Sequence, residues 1–568
     1  MTDRPIGPYP KQPAVVADWD PRIVEVHRRV AALINERRPD VVVEHTGSTA
    51  VPGLPGKGVL DLGIEVLPDD VAGVAAVLRS LGFETQTNAN PFPPTRPLLL
   101  GSVEHDGEVF RIHAHVLPRG HRVWGRDHPR DLAFRDALRA DAALRGAYAA
   151  RKRQIVEGGT TESVRYSLAK TEWIRGALER IGVADPPILP PATIGVLGGG
   201  QLGRMLALAA REMGYRIAVL DPDALAPAAA VADSVVTSSY DDVDRALEMA
   251  ERADVVTLEL EHVSLDVVRR LDWDWPVRPG VWALSVTQDR IAERRFLEAE
   301  GAPVAPWAEA RTTEEIGAAA ARLGLPLRVK ARTGGYDGRS QVRVSDPPSL
   351  AVALERLGRP AGESVLVERE LDFELELSVV CARAVDGQAL TFPATMNRHD
   401  EGILVESVAP APVGWEVAKR AAALARKLAE GLDLVGTLTV EMFLLRDGSL
   451  VVNELAPRVH NSGHWTIEGA TTSQFEQHIR AITGLPLGTV EIRAPAAATV
   501  NVLGVGPERD ARPAGIDRAL GQLDVHVHLY DKRRVFERRK MGHVTALAAT
   551  PDAALELARA AAAEIHWT

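Results

Sequence analysis

Four of the ten residues from Val183 to Ala192, VADPPILPPA, are proline. Proline lacks a backbone N–H and fixes φ, so this stretch can continue neither a helix nor a sheet and reads as a stiff spacer. The segments on its two sides must therefore fold as separate bodies. A chain of 568 residues has room for three or four domains of roughly 100 to 200 residues each. The pattern predicts an α/β domain over 1–182, the linker over 183–192, and further domains over 193–302, 303–491 and 492–568.

Composition limits the partners. With 46% hydrophobic and 25% charged residues, each domain can bury an ordinary core. A net charge of −11 argues against a nucleic-acid or anionic-membrane partner and leaves room for a local basic pocket. The single cysteine, Cys381, excludes an intrachain disulfide; in the strand-like run ELSVVCARAV it is expected to be a buried small hydrophobe. MTDRPIGPYPKQ has no apolar stretch of the signal-peptide kind, and no run of about 18 apolar residues occurs. A cytoplasmic protein is expected.

The segment Val440 to Trp465, VEMFLLRDGSLVVNELAPRVHNSGHW, concentrates the chemistry. Two strand-like runs, LTVEMFLL and GSLVVNELA, are joined by a turn at Asp447-Gly448, which lets Glu441, Asn453 and Glu454 converge from neighbouring strands. Hard oxygen donors of this kind suit Mg2+ bridging nucleotide phosphates. Arg458, His460 and Asn461 come next on a proline-punctuated loop, where they could hold a small anion. Earlier, TIGVLGGGQLGRM places Gly198, Gly200 and Gly203 as G-x-G-x-x-G between a strand and a helix, with Asp221 closing the next strand. Alone, that pattern also fits an NAD-binding oxidoreductase.

Residues NELAPRVHNSGHWT and TTSQFEQHIRAITGLPLG resemble the N5-carboxyaminoimidazole ribonucleotide synthetases, ATP-grasp ligases of purine biosynthesis. The resemblance runs from Thr193 to the C-terminus and recurs in at least five separated motifs. It implies a multidomain α/β chain: a Rossmann-like pre-ATP-grasp domain that binds no NAD, an ATP-grasp domain, and a small β-rich C-terminal domain. It also implies the reaction. ATP phosphorylates bicarbonate, and the exocyclic amine of 5-aminoimidazole ribonucleotide takes up the carboxyl group. The product would pass to a mutase, and the family is commonly dimeric.

The same resemblance implies the site roles. Glu441 and Glu454 would hold Mg2+, while Arg458 and His460 would hold bicarbonate and its phosphorylated form. In TQDRIAERRFL, Arg290 is the expected nucleotide contact, and Arg294 replaces a common lysine. Lys330 and the loop Gly335, Tyr336, Asp337, Gly338, Arg339, Ser340 and Gln341 would cover the ATP phosphates, with Ser340 in place of a usual glycine. Glu368 would flank the adenine, Glu376 the ribose, and His399 and Asn453 would add nucleotide contacts. A lone His399 on a loop is as readily solvated. Gly200, Gln201, Tyr336, Asp337, Lys532, Arg539 and Lys540 would bind the ribonucleotide, with Tyr336 and Glu259 also catalytic. Glu261, two residues on, shares with Glu259 the acidic strand-end motif that the resemblance places near the substrate, and is as readily solvated. From Lys532 to Arg539 five of eight residues are basic, which a substrate phosphate would explain.

The N-terminal region, VVVEHTGSTAVPGLPGKGVLDLGIEV with RIHAHV and YSLAK, resembles the GrpB family, whose fold is nucleotidyltransferase-like. Gly47-Ser48 is a turn able to hold a phosphate, Lys57 lies nearby in sequence, and Asp61 could bind a metal. His113 and His115 share one strand face and could line the same cleft. A working transferase usually has two carboxylates spaced D-x-D, and the second position here is Gly63. A binding or degenerate nucleotide module and an active transferase both remain open.

Overall fold

The computed structural model describes residues 4–10, 16–86, 92–121, 124–157, 170, 173, 174, 176–178, 180–183, 186–334, 340–358 and 362–568. It divides into two compact units, Met1–Pro186 and Pro187–Thr568.

The first unit is built on a five-stranded sheet in the order Val43–Thr46, Val59–Val66, Glu108–Pro118, Leu98–His105, Glu84–Thr85. Only the pairing of Val59–Val66 with Glu108–Pro118 is parallel. Leu60, Leu62 and Ile64 point into the core, so Asp61, Gly63 and Glu65 fall on the opposite face. The helix Ile23–Asn35 covers the core with Ile23, Val26, Val30 and Ile34, all buried and spaced three or four apart.

Among the described residues, the second unit holds three sheets of four or more strands and two two-stranded ones. Ser234–Thr237, Arg216–Asp221, Thr193–Leu197 and Val255–Leu258 form a parallel sheet in that order, the Rossmann-like arrangement expected. Their near-continuous apolar runs reflect burial on both faces. A four-stranded antiparallel sheet runs Trp307–Ala310, Val365–Arg369, Leu327–Ala331, Gln341–Val344.

The largest sheet begins Leu450–Ala456, Gly436–Leu445, Phe373–Arg383, Thr395–Asp400, Ile403–Ala409 and continues into Ala496–Leu503, Lys540–Ala548, Val525–Leu529. The β-rich C-terminal segment therefore extends this sheet, through pairs such as Glu406 with Val500, and adds two small two-stranded sheets of its own, Arg509–Asp510 with Arg534–Val535 and Pro513–Ala514 with His566–Trp567. The helix Pro551–Glu564 seats Ala554, Ala558 and Ala561 against it, small side chains that permit a close approach. Cys381 is buried in this sheet, and burial pushes its thiol up to about 12. Among the described residues, no helix is long and apolar enough to cross a membrane.

Candidate active site

A cleft of about 970 Å³ lies between the four-stranded and the large sheet. Its floor is the hairpin read from the sequence. Glu441 and Glu454 are directly opposed across the two strands. One residue further, the register shifts, so that Met442 faces Val452 and Asn453 is the extra residue. A bulge of this kind re-aims side chains, and Asn453 and Glu454, though adjacent, both line the cleft. Glu454 is open to the cleft, whereas Glu441 is held by His460, whose Nε2 lies 3.1 Å from its Oε1. Burial disfavours charge on both carboxylates. Contact with the His460 imidazole outweighs it at Glu441, whose pKa falls, and repulsion from Glu441 adds to it at Glu454, whose pKa rises.

His460 is fixed by its surroundings. Its backbone N–H donates to Gln474 Oε1 at 3.0 Å, and Gln474 Nε2 donates back to the His460 carbonyl at 2.7 Å. Nδ1 lies 2.9 Å from the Ser462 hydroxyl, from which buried hydrogen bonds continue through Ser378, Asn397 and Ser407. A satisfied buried network of this kind leaves the ring one orientation. Arg458 Nε lies 2.8 Å from Glu261 Oε1. Glu261 is thus a cleft residue and not a solvated one, and its partner lies almost two hundred residues away.

Glu259 is held by the backbone. Its carboxylate accepts from the backbone N–H of Gly200 at 2.9 Å and of Gly203 at 2.8 Å. The helix N-terminus that the glycine pattern offers to a dinucleotide phosphate is therefore filled by the protein's own anion. A Cβ at Gly200 would lie 2.6 Å from Glu259 Oε1. Glu259 is 8% exposed, with its carboxylate engaged by these two N–H groups. Asp221 is likewise engaged, accepting from Gly199 N–H and the Tyr240 hydroxyl, both at 2.7 Å. The oxidoreductase alternative loses its site.

Across the cleft, Lys330 projects from Leu327–Ala331 and lies 2.7 Å from Glu368 Oε2. Glu368 also receives Arg294, a buried guanidinium four residues after Arg290 and hence on the same helix face. Burial alone would raise the Glu368 pKa, but these two cations hold it down to about 2. The sequence pattern offers a nucleotide as partner for this carboxylate; the structure supplies a lysine and an arginine. Neighbouring Glu293, buried and accepting from Leu455 N–H at 2.8 Å, is pushed by burial up to about 8. Sequence reasoning gives neither Glu293 nor Arg294 a site role, although the helical spacing from Arg290 is the available signal.

Arg290 reaches the carbonyls of Ala331 at 2.7 Å and Gly334 at 2.9 Å, gripping the base of the glycine-rich loop. Ser340 and Gln341 line the cleft at the loop's far end, while Gly335, Tyr336, Asp337, Gly338 and Arg339 lie outside the described residues. His399 stands on the strand Thr395–Asp400, not on a loop, and its Nδ1 is 2.5 Å from Glu376 Oε2. Burial works against charge on this imidazole, but Glu376 and Glu441 outweigh it and raise its pKa.

The chain matches known proteins in sequence and in fold. Residues 191–288 match the model of the ribonucleotide synthetase preATP-grasp domain, 295–475 the ATP-grasp domain, 497–557 the phosphoribosylaminoimidazole carboxylase C-terminal domain, and 13–180 the GrpB protein. The chain is 40% identical to the N5-carboxyaminoimidazole ribonucleotide synthase of Bacillus subtilis (strain 168), over 63% of this chain and 92% of that protein. It belongs to the N5-carboxyaminoimidazole ribonucleotide synthase family. A solved synthetase from Staphylococcus aureus complexed with ADP is 31% identical with a TM-score of 0.61, covering 66% of this chain and 99% of that one. One from Aspergillus clavatus, in complex with ADP and 5-aminoimidazole ribonucleotide, is 33% identical with a TM-score of 0.60, covering 66% and 98%.

Within this synthase fold the residues expected to meet the ribonucleotide form a bridge. Lys532 Nζ donates to Gln201 Oε1 at 2.8 Å and to the Lys540 carbonyl at 2.6 Å, and Gln201 Nε2 donates to Asn461 Oδ1 at 2.7 Å. Gln201 thereby ties the glycine-rich helix start to the loop after His460 and to the C-terminal segment. Lys540 lines the cleft; Arg539 lies over the Phe536 ring and donates to the Arg534 carbonyl at 2.6 Å. Much of the basic run is committed elsewhere. Arg534 pairs with Glu508 and Asp510, and Arg538 with Asp400 and Glu401.

In the first unit, Asp61 and His113 are parallel cross-strand partners with Asp61 Oδ1 and His113 Nδ1 3.4 Å apart, and His115 lies further along the same face. The Gly47-Ser48 turn lies against Asp61: a Cβ at Gly47, where φ is +69°, would come 2.2 Å from its Oδ2. Burial lowers the Lys57 pKa, and Asp61 opposes that shift.

Proposed function

We infer that the second unit carboxylates 5-aminoimidazole ribonucleotide at its exocyclic amine with ATP and bicarbonate, giving the N5-carboxyamino product, ADP and phosphate. The observation that carries this reading is the opposition of Glu441 and Glu454 on the hairpin, with Lys330 across the cleft and Arg458 and His460 beside them. Two carboxylates and an amide oxygen are the donor set a hard divalent ion takes, and the mutual repulsion of the pair is what a cation relieves. Mg2+ held by Glu441 and Glu454 would supply neutralisation of phosphate charge.

The chain's own groups do the rest. Lys330 offers a point charge to the phosphates, and Arg458, with His460, holds bicarbonate in line with the terminal phosphoryl group. Bicarbonate oxygen attacks that phosphorus, ADP leaves, and the amine then attacks the carboxyphosphate carbon as phosphate departs and the amine proton is lost. Positioning and charge neutralisation are the work required. Gln201, Lys532 and Lys540 orient the ribonucleotide, together with Tyr336 and Asp337. The same reading carries a cytoplasmic homodimer whose product is taken by a mutase that moves the carboxyl group onto the ring.

ADP release measured with the ribonucleotide, with and without bicarbonate, tests the assignment. Release should require Mg2+ and rise when both substrates are present; indifference to the ribonucleotide would overturn it. Lys532→Ala separates the two substrates. It should weaken ribonucleotide use by about 1.5 to 3 kcal/mol, the worth of a charge-assisted contact, and leave the ATP dependence unchanged. Equal loss for both substrates in initial-rate kinetics would make Lys532 a purely structural tie between Gln201 and the C-terminal segment.

A further inference from the structure

The first unit carries a second cluster of ligating groups. Ligand atoms of Asp61, His113 and His115 all lie within 4.8 Å of one another. Strand register explains the convergence: Asp61 is paired with His113 and Gly63 with His115 on the parallel neighbour, so alternation puts all four positions on one face. The His113 ring is tethered from its far side, where Nε2 lies 3.0 Å from the Tyr9 hydroxyl. An imidazole oriented by a second hydrogen bond is how metal-binding histidines are commonly held. His115 Nδ1 is buried and, among the described residues, has no hydrogen-bond partner.

The donor set differs from that of a magnesium-dependent transferase. The second carboxylate of a D-x-D pair would stand at Gly63, where a Cβ would come 2.6 Å from Cε1 of His128. That imidazole already fills the space. Glu65, next on the same face, pairs with Arg119 at 2.7 Å. One carboxylate and two imidazoles remain, and nitrogen donors favour a borderline transition ion over Mg2+.

Beside this cluster the surface suits an anion. A Cβ at Gly56 would lie 2.2 Å from Ser48 Oγ and 3.8 Å from Lys152 Nζ, so the Gly47-Ser48 turn and the buried lysine meet there. Lys152 donates to the Pro55 carbonyl at 2.8 Å. Lys57, Lys152 and Lys170 all feel the Asp61 charge. Burial lowers each of them, Lys152 to about 7 and Lys170 to about 8, and an anion among them would restore their charge.

We propose that the first unit binds a divalent transition-metal ion through Asp61, His113 and His115, beside a phosphate-bearing ligand held by the Gly47-Ser48 turn and Lys152. The test uses the full chain with Glu441→Gln and Glu454→Gln, which removes the synthase's own metal carboxylates. Titration with Co2+ should give one equivalent with visible ligand-field bands, displaced by Zn2+ and resistant to excess Mg2+. Adding Asp61→Asn or His115→Ala should weaken binding at least tenfold, and the milder Tyr9→Phe, which leaves all three ligands in place, should weaken it several-fold with an unchanged circular dichroism spectrum. Inorganic pyrophosphate should shift the Co2+ bands, and Lys152→Met should abolish that shift while retaining the metal. Unaltered Co2+ binding in the Asp61 and His115 variants, or ready displacement by Mg2+, would overturn the metal site. Bands indifferent to pyrophosphate would overturn the anion site.

Discussion

Glu454→Gln should lower the rate of ADP formation by two to three orders of magnitude at saturating Mg2+. The change keeps the side chain's shape and removes one of the two negative charges that face each other across the hairpin. Losing one preorganised electrostatic group at a site where charge develops typically costs on the order of 10²- to 10³-fold in turnover. Folding should survive. Glu454 opens into the cleft, and its charge is disfavoured by enclosure and by Glu441, so its neutralisation relieves repulsion in the free protein. Initial rates over a Mg2+ series, together with the thermal unfolding midpoint, check both parts. Turnover within tenfold of the wild type would place the metal on other residues.

Glu368→Ala should destabilise the second unit by about 3 to 5 kcal/mol, because it strands a buried arginine without its counter-charge. Arg294 and Glu368 are 3% and 4% exposed, and Lys330 shares the same carboxylate. The effect should be read in the second unit's thermal transition, the one expected to rise when ADP is added. Its pH dependence has a definite sign. The carboxyl is held down to about 2 in the fold, against roughly 4.3 in an unfolded chain. The stabilisation is therefore complete above the unfolded value and is lost as the pH falls from there through about 2. The difference between wild type and variant should narrow over that window and stay constant from pH 5 to 8. A variant as stable as the wild type at neutral pH would mean that Arg294 finds another acceptor.

Much of the site is legible in the chain because it is local. The Asp447-Gly448 turn between two alternating runs sets which carboxylates can meet, so Glu441 and Glu454 are readable as a pair from about twenty residues. His113 and His115 are legible as one face because side chains alternate along a strand. The bulge at Asn453 is not, since an extra residue in a strand depends on its partner's register. Arg294 is visible as a departure from a family pattern, but its role needs Glu368, supplied by a strand seventy residues on.

The glycine pattern marks the division most sharply. A tight turn at Gly198 to Gly203 that opens a helix and exposes backbone N–H groups is written into the chain itself, because only glycine permits that approach. So is the separation into two bodies, through the proline-rich spacer, and so is the place of the second among ATP-dependent ligases, through its separated motifs. Which anion the helix start would receive is settled only in three dimensions, where a strand more than fifty residues later delivers Glu259 to Gly200 and Gly203. The same holds for Arg458 with Glu261 and for Asp61 with His113. Backbone preference and side-chain alternation act over a few residues, whereas the partner of a buried charge is set by the packing of distant segments.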